Sequence, residues 1–193
     1  MRYSALMETP GRRERKKAAT RHALADAALK LFLERGYDQV SIRDIAEAAD
    51  VSTTTLFKHF PGKEALVFDE SEDREANLIA AVRQRPEDQG VVEALREYVL
   101  ATWLPLTAHP QYAGFTALVS GTPALQEYGE RMWTRHAKAL GAAIAEDAGV
   151  DSDDIACHAL ARFVLDIPAL TRGRTDPRKD VERIFDLLTD GWR

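Results

Sequence analysis

The residues with the most evident chemistry in this chain lie between Ser52 and Lys63. Four consecutive hydroxyl side chains, residues 52 to 55, are followed by Lys58 and His59. Hydroxyl groups and cations bind phosphates and base edges, and threonine methyl groups contact thymine. Residues 53 to 60 contain no Arg, Asn or Gln for a bidentate contact with a base. If this segment contacts DNA, its readout depends on hydroxyls, methyl contacts, one lysine, one histidine and DNA shape.

Two short helices are predicted to position these side chains, within the segment from Ser41 to Phe60. Ser41 is a suitable N-cap, and Asp44 completes a capping box. Ser52 is a second N-cap, after a break in the apolar spacing. Two short helices joined by a tight turn, with a polar and slightly basic second helix, indicate a helix-turn-helix that enters the major groove. An ordinary helical hairpin with a solvated face has the same spacing.

From Thr20 to Leu66 the chain resembles the N-terminal domain of the TetR family of bacterial transcriptional regulators. The residues that carry the resemblance are Ala27, Leu31, Phe32, Gly36, Tyr37, Val40, Asp44, Ile45, Ala46, Val51, Ser52, Leu56, Phe57, Phe60, Lys63, Glu64 and Leu66. The chain departs from the family at Asp50, where Gly is usual, and at Phe57, where Tyr is frequent. Asp tolerates a left-handed backbone better than most residues, so we expect the turn to form.

The resemblance implies roles for individual side chains of the first domain. We expect phosphate contacts from Arg43, Ser52, Thr54 and Lys63. The residues expected nearest the bases are Thr53, Thr55, Lys58 and His59. Phe57 lacks the hydroxyl that commonly reaches a phosphate in the family, and we expect it to pack and to orient the helix. Lys63 is predicted to open a long helix that ends before Pro86, with its charge at the helix start.

Charge is distributed unevenly along the chain, whose net charge is -5. Residues 1 to 63 contain 12 Lys and Arg against 8 Asp and Glu, whereas residues 64 to 193 contain 14 against 23. An acidic protein with one basic end suits a nucleic-acid reader, although acidic surfaces also serve solubility. A basic cluster at residues 12 to 17 could track phosphates or form a solvated helix start.

Several classes of function find no support in the sequence. There is no phosphate loop, nucleophile elbow or cluster of metal ligands, so we expect neither an enzyme nor a bound metal or cofactor. No apolar run is long enough to span a membrane and no signal peptide is evident, so we expect a cytoplasmic protein. The single cysteine, Cys157, is expected to be a small buried hydrophobic residue, with a redox role left open.

The fold class is predicted as all-α, because apolar residues recur at helical spacing and no strand pattern occurs. We expect residues 1–63 to form a basic tail, mobile up to about residue 11, and a three-helix DNA-binding domain. Residues 64–193 are expected to form a larger helical domain for effector binding and dimerisation. The family resemblance implies a homodimer in which the last two long helices, about 152 to 170 and 177 to 192, pair across a twofold axis.

The helices between the long helix that Lys63 opens and the last two long helices are expected to enclose a pocket for a small-molecule effector. The candidates for its lining are Trp103, Tyr112, Phe115, Tyr128, Trp133, His136 and Phe163. Aromatic stripes at helical spacing are equally typical of an ordinary core. The sequence thus predicts a ligand-responsive regulator, most simply a repressor, that binds double-stranded operator DNA as a homodimer. The alternatives are a helical ligand carrier or partner-docking protein that does not bind DNA, and an activator.

Overall fold

The computed structural model describes residues 11–69 and 71–191, and within these ranges all regular structure is helical. The helices are α1 Arg12–Arg35, α2 Ile42–Ala48, α3 Thr53–His59, α4 Lys63–Val67, α5 Ser71–Arg83, α6 Val91–Tyr98, α7 Leu104–Thr107, α8 Tyr112–Gly121, α9 Pro123–Ala148, α10 Ile155–Leu170 and α11 Pro177–Asp190. This confirms the all-α prediction for the described residues. The predicted tail at residues 1–10 and the predicted helix end at 192 lie outside them.

The chain forms two compact units, and the first ends at Asp69. In this unit α1 packs against α2 and α4 through one apolar stripe. Its buried residues are Leu24, Ala28, Leu31 and Phe32, the inner face that the helical spacing predicts. Gly36 follows the helix with a φ of 85°, a left-handed conformation that favours glycine, and so ends α1 where predicted.

The long helix predicted to run from Lys63 to Pro86 is wrong, because α4 ends at Val67 and α5 begins at Ser71. Two residues of the break, Phe68 and Asp69, are not helical. The main-chain oxygen of Asp69 accepts a hydrogen bond from Arg21 over 3.0 Å. Since the first unit extends to Asp69, α4 is part of it, whereas the predicted boundary between residues 63 and 64 separates Lys63 from the rest of this helix.

The second unit is built around one apolar core to which α5, α6, α9, α10 and α11 contribute. Its long helices α9 and α10 pack closely together, and α9 also packs on α5. A π-helical turn, Val99–Trp103, joins α6 to α7. Pro105 follows it, and because proline clashes with the preceding turn and donates no hydrogen bond, the wider turn is the adjustment expected there.

The start of α10 differs from the prediction. Asp154 is its N-cap and accepts hydrogen bonds from the amides of Ala156 and Cys157, each over 3.0 Å. Asp151 and Ser152, whose side chains could also cap a helix, precede it. Ile155 is 82 % exposed because it lies at the first helical position. Cys157 is buried in the core as predicted, and burial raises the pKa of its thiol.

Candidate nucleic-acid interface

Helix α2 is fixed at its start by the predicted capping box. The Ser41 hydroxyl accepts a hydrogen bond from the amide of Asp44 over 3.1 Å, and the Asp44 carboxylate accepts one from the Ser41 amide over 2.8 Å. These hydrogen bonds hold the pKa of Asp44 below its ordinary value. Ile45 and Ala46 are buried, so the apolar side of α2 is anchored in the first unit.

The turn between α2 and α3 depends on Asp50, which has a φ of 53°. Asp50 is the one residue other than glycine that has a positive φ among the described residues. The amide of Val51 donates to the carbonyl of Ala46 over 2.9 Å and closes the turn. The left-handed conformation expected from the family's usual glycine therefore forms with Asp in its place.

Helix α3 is held at its start and along its inner side. At its start, the Ser52 hydroxyl accepts a hydrogen bond from the amide of Thr55 over 3.1 Å, which confirms the predicted cap. Leu56 and Phe60 have no exposed surface and anchor the inner side of the helix in the first unit. Because these anchors lie on one side, the opposite side of α3 faces solvent.

The nine predicted DNA-binding residues fall into two groups by exposure. The exposed ones are Arg43, Ser52, Thr53, Thr54, Phe57 and Lys58. Thr55, His59 and Lys63 are partly buried. The expectation that Phe57 packs against the domain is wrong for the free protein, since its side chain is 56 % exposed. Its position on α3 explains this, because successive helical residues point about 100° apart, so the side chain that follows the buried Leu56 leaves the inner side.

His59 is less available than the sequence suggests. Its ring nitrogen Nδ1 is buried and has no hydrogen-bond partner among the described residues. Burial lowers the pKa of the ring, and the charges of Lys17 and Arg21 lower it further. A neutral His59 adds no positive charge to the surface at pH 7.

Lys63 is folded onto Tyr37. Its ammonium group donates to the main-chain oxygen of Tyr37 and lies 4.0 Å from the centre of the tyrosine ring. Burial lowers the pKa of Lys63. The five-residue α4 provides a much shorter helix than the one predicted behind this lysine, so its dipole adds little, and the ammonium group is the main attraction for a phosphate.

Sequence reasoning missed Arg21, which joins α1 to the end of α3. Its guanidinium group donates to the main-chain oxygens of His59, over 2.9 Å, and of Asp69, over 3.0 Å. It also pairs with the Asp69 carboxylate over 2.6 Å and lies 4.4 Å from the centre of the Phe60 ring. No local pattern reveals this arrangement, because its partners are 38 and 48 residues away.

The residues predicted to line an effector pocket all lie in the second unit. Trp103 and His136 are buried, and the other five are partly buried: Tyr112, Phe115, Tyr128, Trp133 and Phe163. The structure brings Tyr112 onto Phe115, with ring centres 6.5 Å apart, and Trp133 onto His136, with ring centres 5.5 Å apart. Trp103 and Trp133 both pack in the main core.

His136 is the most polar of these buried groups. Its Nε2 atom lies 3.4 Å from the Glu75 carboxylate, whereas Nδ1 is buried without a hydrogen-bond partner among the described residues. Two surface depressions, lined by residues 43–53 and by residues 173–183, include none of the seven predicted lining residues.

Comparison with known proteins identifies the family. Residues 24–69 match the family of bacterial regulatory proteins known as the tetR family. The transcriptional regulator TcmR of Streptomyces glaucescens is 32% identical over 153 residues, which cover 75% of this chain and 67% of TcmR. This chain belongs to the TetR family. It is a DNA-binding transcriptional regulator with the helix-turn-helix described above.

Two further comparisons extend this assignment. The transcriptional repressor ComR of Escherichia coli is 36% identical over 92 residues, 46% of this chain and 43% of ComR. Native NalD, the secondary repressor of the MexAB-OprM multidrug efflux pump in Pseudomonas aeruginosa, has a similar fold, with a TM-score of 0.58 and 21% identity. The match covers 91% of this chain and 97% of NalD. Among the described residues no helix is both long and apolar enough to cross a membrane.

Proposed function

We propose that this TetR-family regulator is a homodimeric repressor that leaves its operator when a small molecule binds the second unit. The observation that carries the DNA-binding part is the outer side of α3, where Thr53, Thr54, Phe57 and Lys58 are exposed together. The helix that bears them is capped at Ser52 and anchored on its inner side, so these side chains are presented on a rigid support.

Within this proposal Arg43, Ser52, Thr54 and Lys63 hold the DNA backbone. Arg43 and Ser52 are exposed on either side of the turn and are placed to contact phosphates. Lys63 joins them by exchanging the Tyr37 oxygen for a phosphate oxygen. His59 contributes less than the sequence predicted, through its Nε2 atom only, because its Nδ1 atom is buried.

Dimerisation through α10 and α11 is supported by apolar side chains that these helices leave uncovered. Ile155 and Leu170, at the two ends of α10, are 82 % and 55 % exposed. Phe163 on α10 and Leu187 on α11 are partly buried. One recognition helix contacts only a few base pairs, so a dimer that reads two half-sites gains both affinity and specificity.

Effector binding in the second unit is supported by buried groups with unused hydrogen-bonding capacity. Nδ1 of His136 is such a group, and the aromatic ring of Trp133 packs against its imidazole. An effector that favours one arrangement of the protein over the other changes operator affinity by its difference in binding free energy, typically about 5- to 150-fold. Repression is favoured over activation because ComR and NalD are both named as repressors.

Selection of binding sites from random duplex DNA by the full chain tests this function. We expect enrichment of a sequence with two related half-sites about 34 Å apart, or a multiple of that distance, bound by a dimer in analytical ultracentrifugation. Lys58→Glu should abolish enrichment, whereas Lys138→Glu, the same charge change on an exposed residue of α9, should not. A chain that enriches no sequence, or that binds only as a monomer, would contradict the proposal.

Placing the enriched site in the source genome tests repression directly. A reporter gene controlled by that site should be expressed at a low level in the presence of the protein and at a higher level with Lys58→Glu. The opposite order of expression would identify an activator.

A further inference from the structure

The recognition helix exposes an aromatic ring where a polar group would be expected. Phe57 is 56 % exposed, whereas Leu33, the other exposed large apolar side chain among the described residues of the first unit, is 38 % exposed. A phenyl ring in water costs free energy unless a ligand covers it. Thr53, one turn earlier on α3, and the adjacent Lys58 are also exposed. The ring is therefore a single apolar site within a polar surface.

The anchoring of α3 prevents this ring from turning inward. Leu56 and Phe60 occupy the inner side of the helix and have no exposed surface. The cap at Ser52 and the hydrogen bond from Arg21 to the His59 oxygen hold the two ends of the helix. Because α3 cannot rotate without exposing these two anchors, Phe57 stays on the side that enters the major groove.

The chemistry of the ring restricts what it recognises there. A phenyl group neither donates nor accepts a conventional hydrogen bond, so it does not replace the tyrosine hydroxyl that reaches a phosphate. In the major groove the edges of the bases present hydrogen-bonding groups, with one apolar exception, the 5-methyl group of thymine. Phenylalanine is among the side chains that contact this methyl group.

We propose that Phe57 reads a thymine in each half-site through the 5-methyl group of that base. This inference rests on the proposed DNA-binding function and adds a base identity to it. A protein partner is a poorer match to the same ring, because hydroxyl groups and Lys58 surround it and the apolar surface is one side chain wide. Thr53 and Thr54 also carry methyl groups, so the test has to separate their contribution from that of Phe57.

The test uses the duplex selected by the full chain, with each thymine replaced in turn by deoxyuridine. This change removes the methyl group and leaves the Watson-Crick edge intact. Covering one methyl group is worth about a fourfold change in affinity. We expect one thymine per half-site at which replacement weakens wild-type binding about fourfold, and about 15-fold when both half-sites are replaced.

The same duplexes are then measured with Phe57→Ala. This variant removes an exposed side chain and introduces a good helix former, so it should fold like the wild type, as circular dichroism can verify. It should bind the thymine duplex more weakly and lose the difference between thymine and deoxyuridine at the assigned position. Thr53→Ser, which removes a methyl group from the neighbouring side chain, should keep that difference.

Three results would overturn the inference. Wild-type protein could bind the selected duplex with no sensitivity to deoxyuridine, which would leave the DNA-binding function intact. The penalty could persist unchanged in Phe57→Ala and disappear in Thr53→Ser, which would assign the methyl contact to Thr53. Finally, wild-type protein could select no duplex at all, in which case the proposed function fails together with the inference.

Discussion

The guanidinium group of Arg21 donates a hydrogen bond to the main-chain oxygen of His59 over 2.9 Å, at the last residue of the recognition helix α3. Carbonyl groups in the last turn of a helix lack partners within the helix, so an outside donor completes it. Arg21 also holds the oxygen and the carboxylate of Asp69, where the first unit ends. One side chain of α1 thus holds both the end of the recognition helix and Asp69, the last residue of the first unit.

Replacing Arg21 with Ala should loosen α3. The variant loses charged hydrogen bonds and leaves the nearly buried Asp69 carboxylate without this cation, for a loss of about 2 kcal/mol in the free energy of unfolding of the first unit. Hydrogen exchange should accelerate in the amides of α3, and operator affinity should fall. Lys30→Ala, a change at an exposed position of α1 outside the basic cluster, is the matched control. Equal exchange rates in the two variants would show that Arg21 does not hold the helix.

The left-handed backbone at Asp50 predicts different effects on stability for substitution by alanine and by glycine. Asp50→Ala should destabilise the first unit by about 1 kcal/mol, because alanine has a β-carbon but cannot form the local hydrogen bonds that help Asp there. Asp50→Gly should be neutral or slightly stabilising. Urea unfolding monitored by circular dichroism measures both, with Glu47→Ala on the neighbouring exposed surface as a reference. If the Asp50→Ala protein proved as stable as the Asp50→Gly protein, the φ of 53° would not cost free energy at this position.

Features that depend on a few neighbouring residues were predictable from the sequence. The caps at Ser41 and Ser52 and the inner face of α1 are of this kind, since a cap or an amphipathic stripe is set within about one to five turns of helix. The choice of Asp154 over Asp151 or Ser152 as the cap of α10 was not predictable, because all three residue types cap helices equally well.

Features that depend on distant partners were missed. Arg21 donates a hydrogen bond to Asp69 at the break between α4 and α5, and no periodicity near residue 69 indicates this break. The inward position of Lys63 depends in the same way on Tyr37. For the effector site, helical spacing identified buried aromatic residues but could not distinguish a core from a pocket, and the roles of those residues stay predictions.

The close contact between α9 and α10 depends on the absence of a side chain at Gly141. A β-carbon there would lie 2.4 Å from Nδ1 of His158, whose other ring nitrogen is 2.9 Å from the Ser152 oxygen. Gly141→Ala should therefore destabilise the second unit by about 1 to 3 kcal/mol. Gly121→Ala, where a β-carbon meets no neighbour within 4 Å, should be neutral or stabilising.

The double variant Gly141→Ala, His158→Ala separates a clash from a loss of flexibility. Removing the imidazole should restore part of the stability lost in Gly141→Ala, because the overlapping atoms are gone. Thermal unfolding of the wild type, Gly141→Ala, His158→Ala and the double variant gives the coupling free energy between the two sites. Strictly additive losses would show that contact with the His158 ring does not cause the loss in Gly141→Ala.

The burial of His136 predicts that the second unit loses stability in acid. Burial lowers the pKa of this ring from 6.5, while the Glu75 carboxylate raises it and Arg135 and Arg74 lower it. The unfolded chain therefore binds a proton at a higher pH than the folded chain does. Stability contributed by neutral His136 is complete above about pH 6.5 and is lost as the pH falls toward the lowered folded pKa.

Melting temperatures measured between pH 7.5 and 5 test this dependence. His136→Gln should be less stable at pH 7.5 and should lose less stability on acidification than the wild type. His59→Gln provides a comparison in the first unit, where burial also lowers the pKa of a histidine. Parallel curves for the wild type and His136→Gln would show that this ring does not titrate differently in the two states.

The salt dependence of operator binding tests the role of Lys63. In the free protein its ammonium group is bonded to the Tyr37 oxygen, so a phosphate contact requires it to leave that partner. Each phosphate neutralised by the protein contributes about -0.9 to the slope of log affinity against log salt concentration. Lys63→Ala should therefore make the slope shallower by about 0.9 per half-site and weaken binding to all sequences to a similar extent.

Lys30→Ala, a loss of the same charge from an exposed position of α1, controls for the overall charge of the first unit. It should leave the slope close to that of the wild type. Lys63→Ala also removes a contact with Tyr37, but a loss of stability alone lowers affinity without changing the number of ions released. The slope therefore distinguishes a phosphate contact from a purely structural lysine. An unchanged slope in Lys63→Ala would place this side chain on Tyr37 in the complex as well.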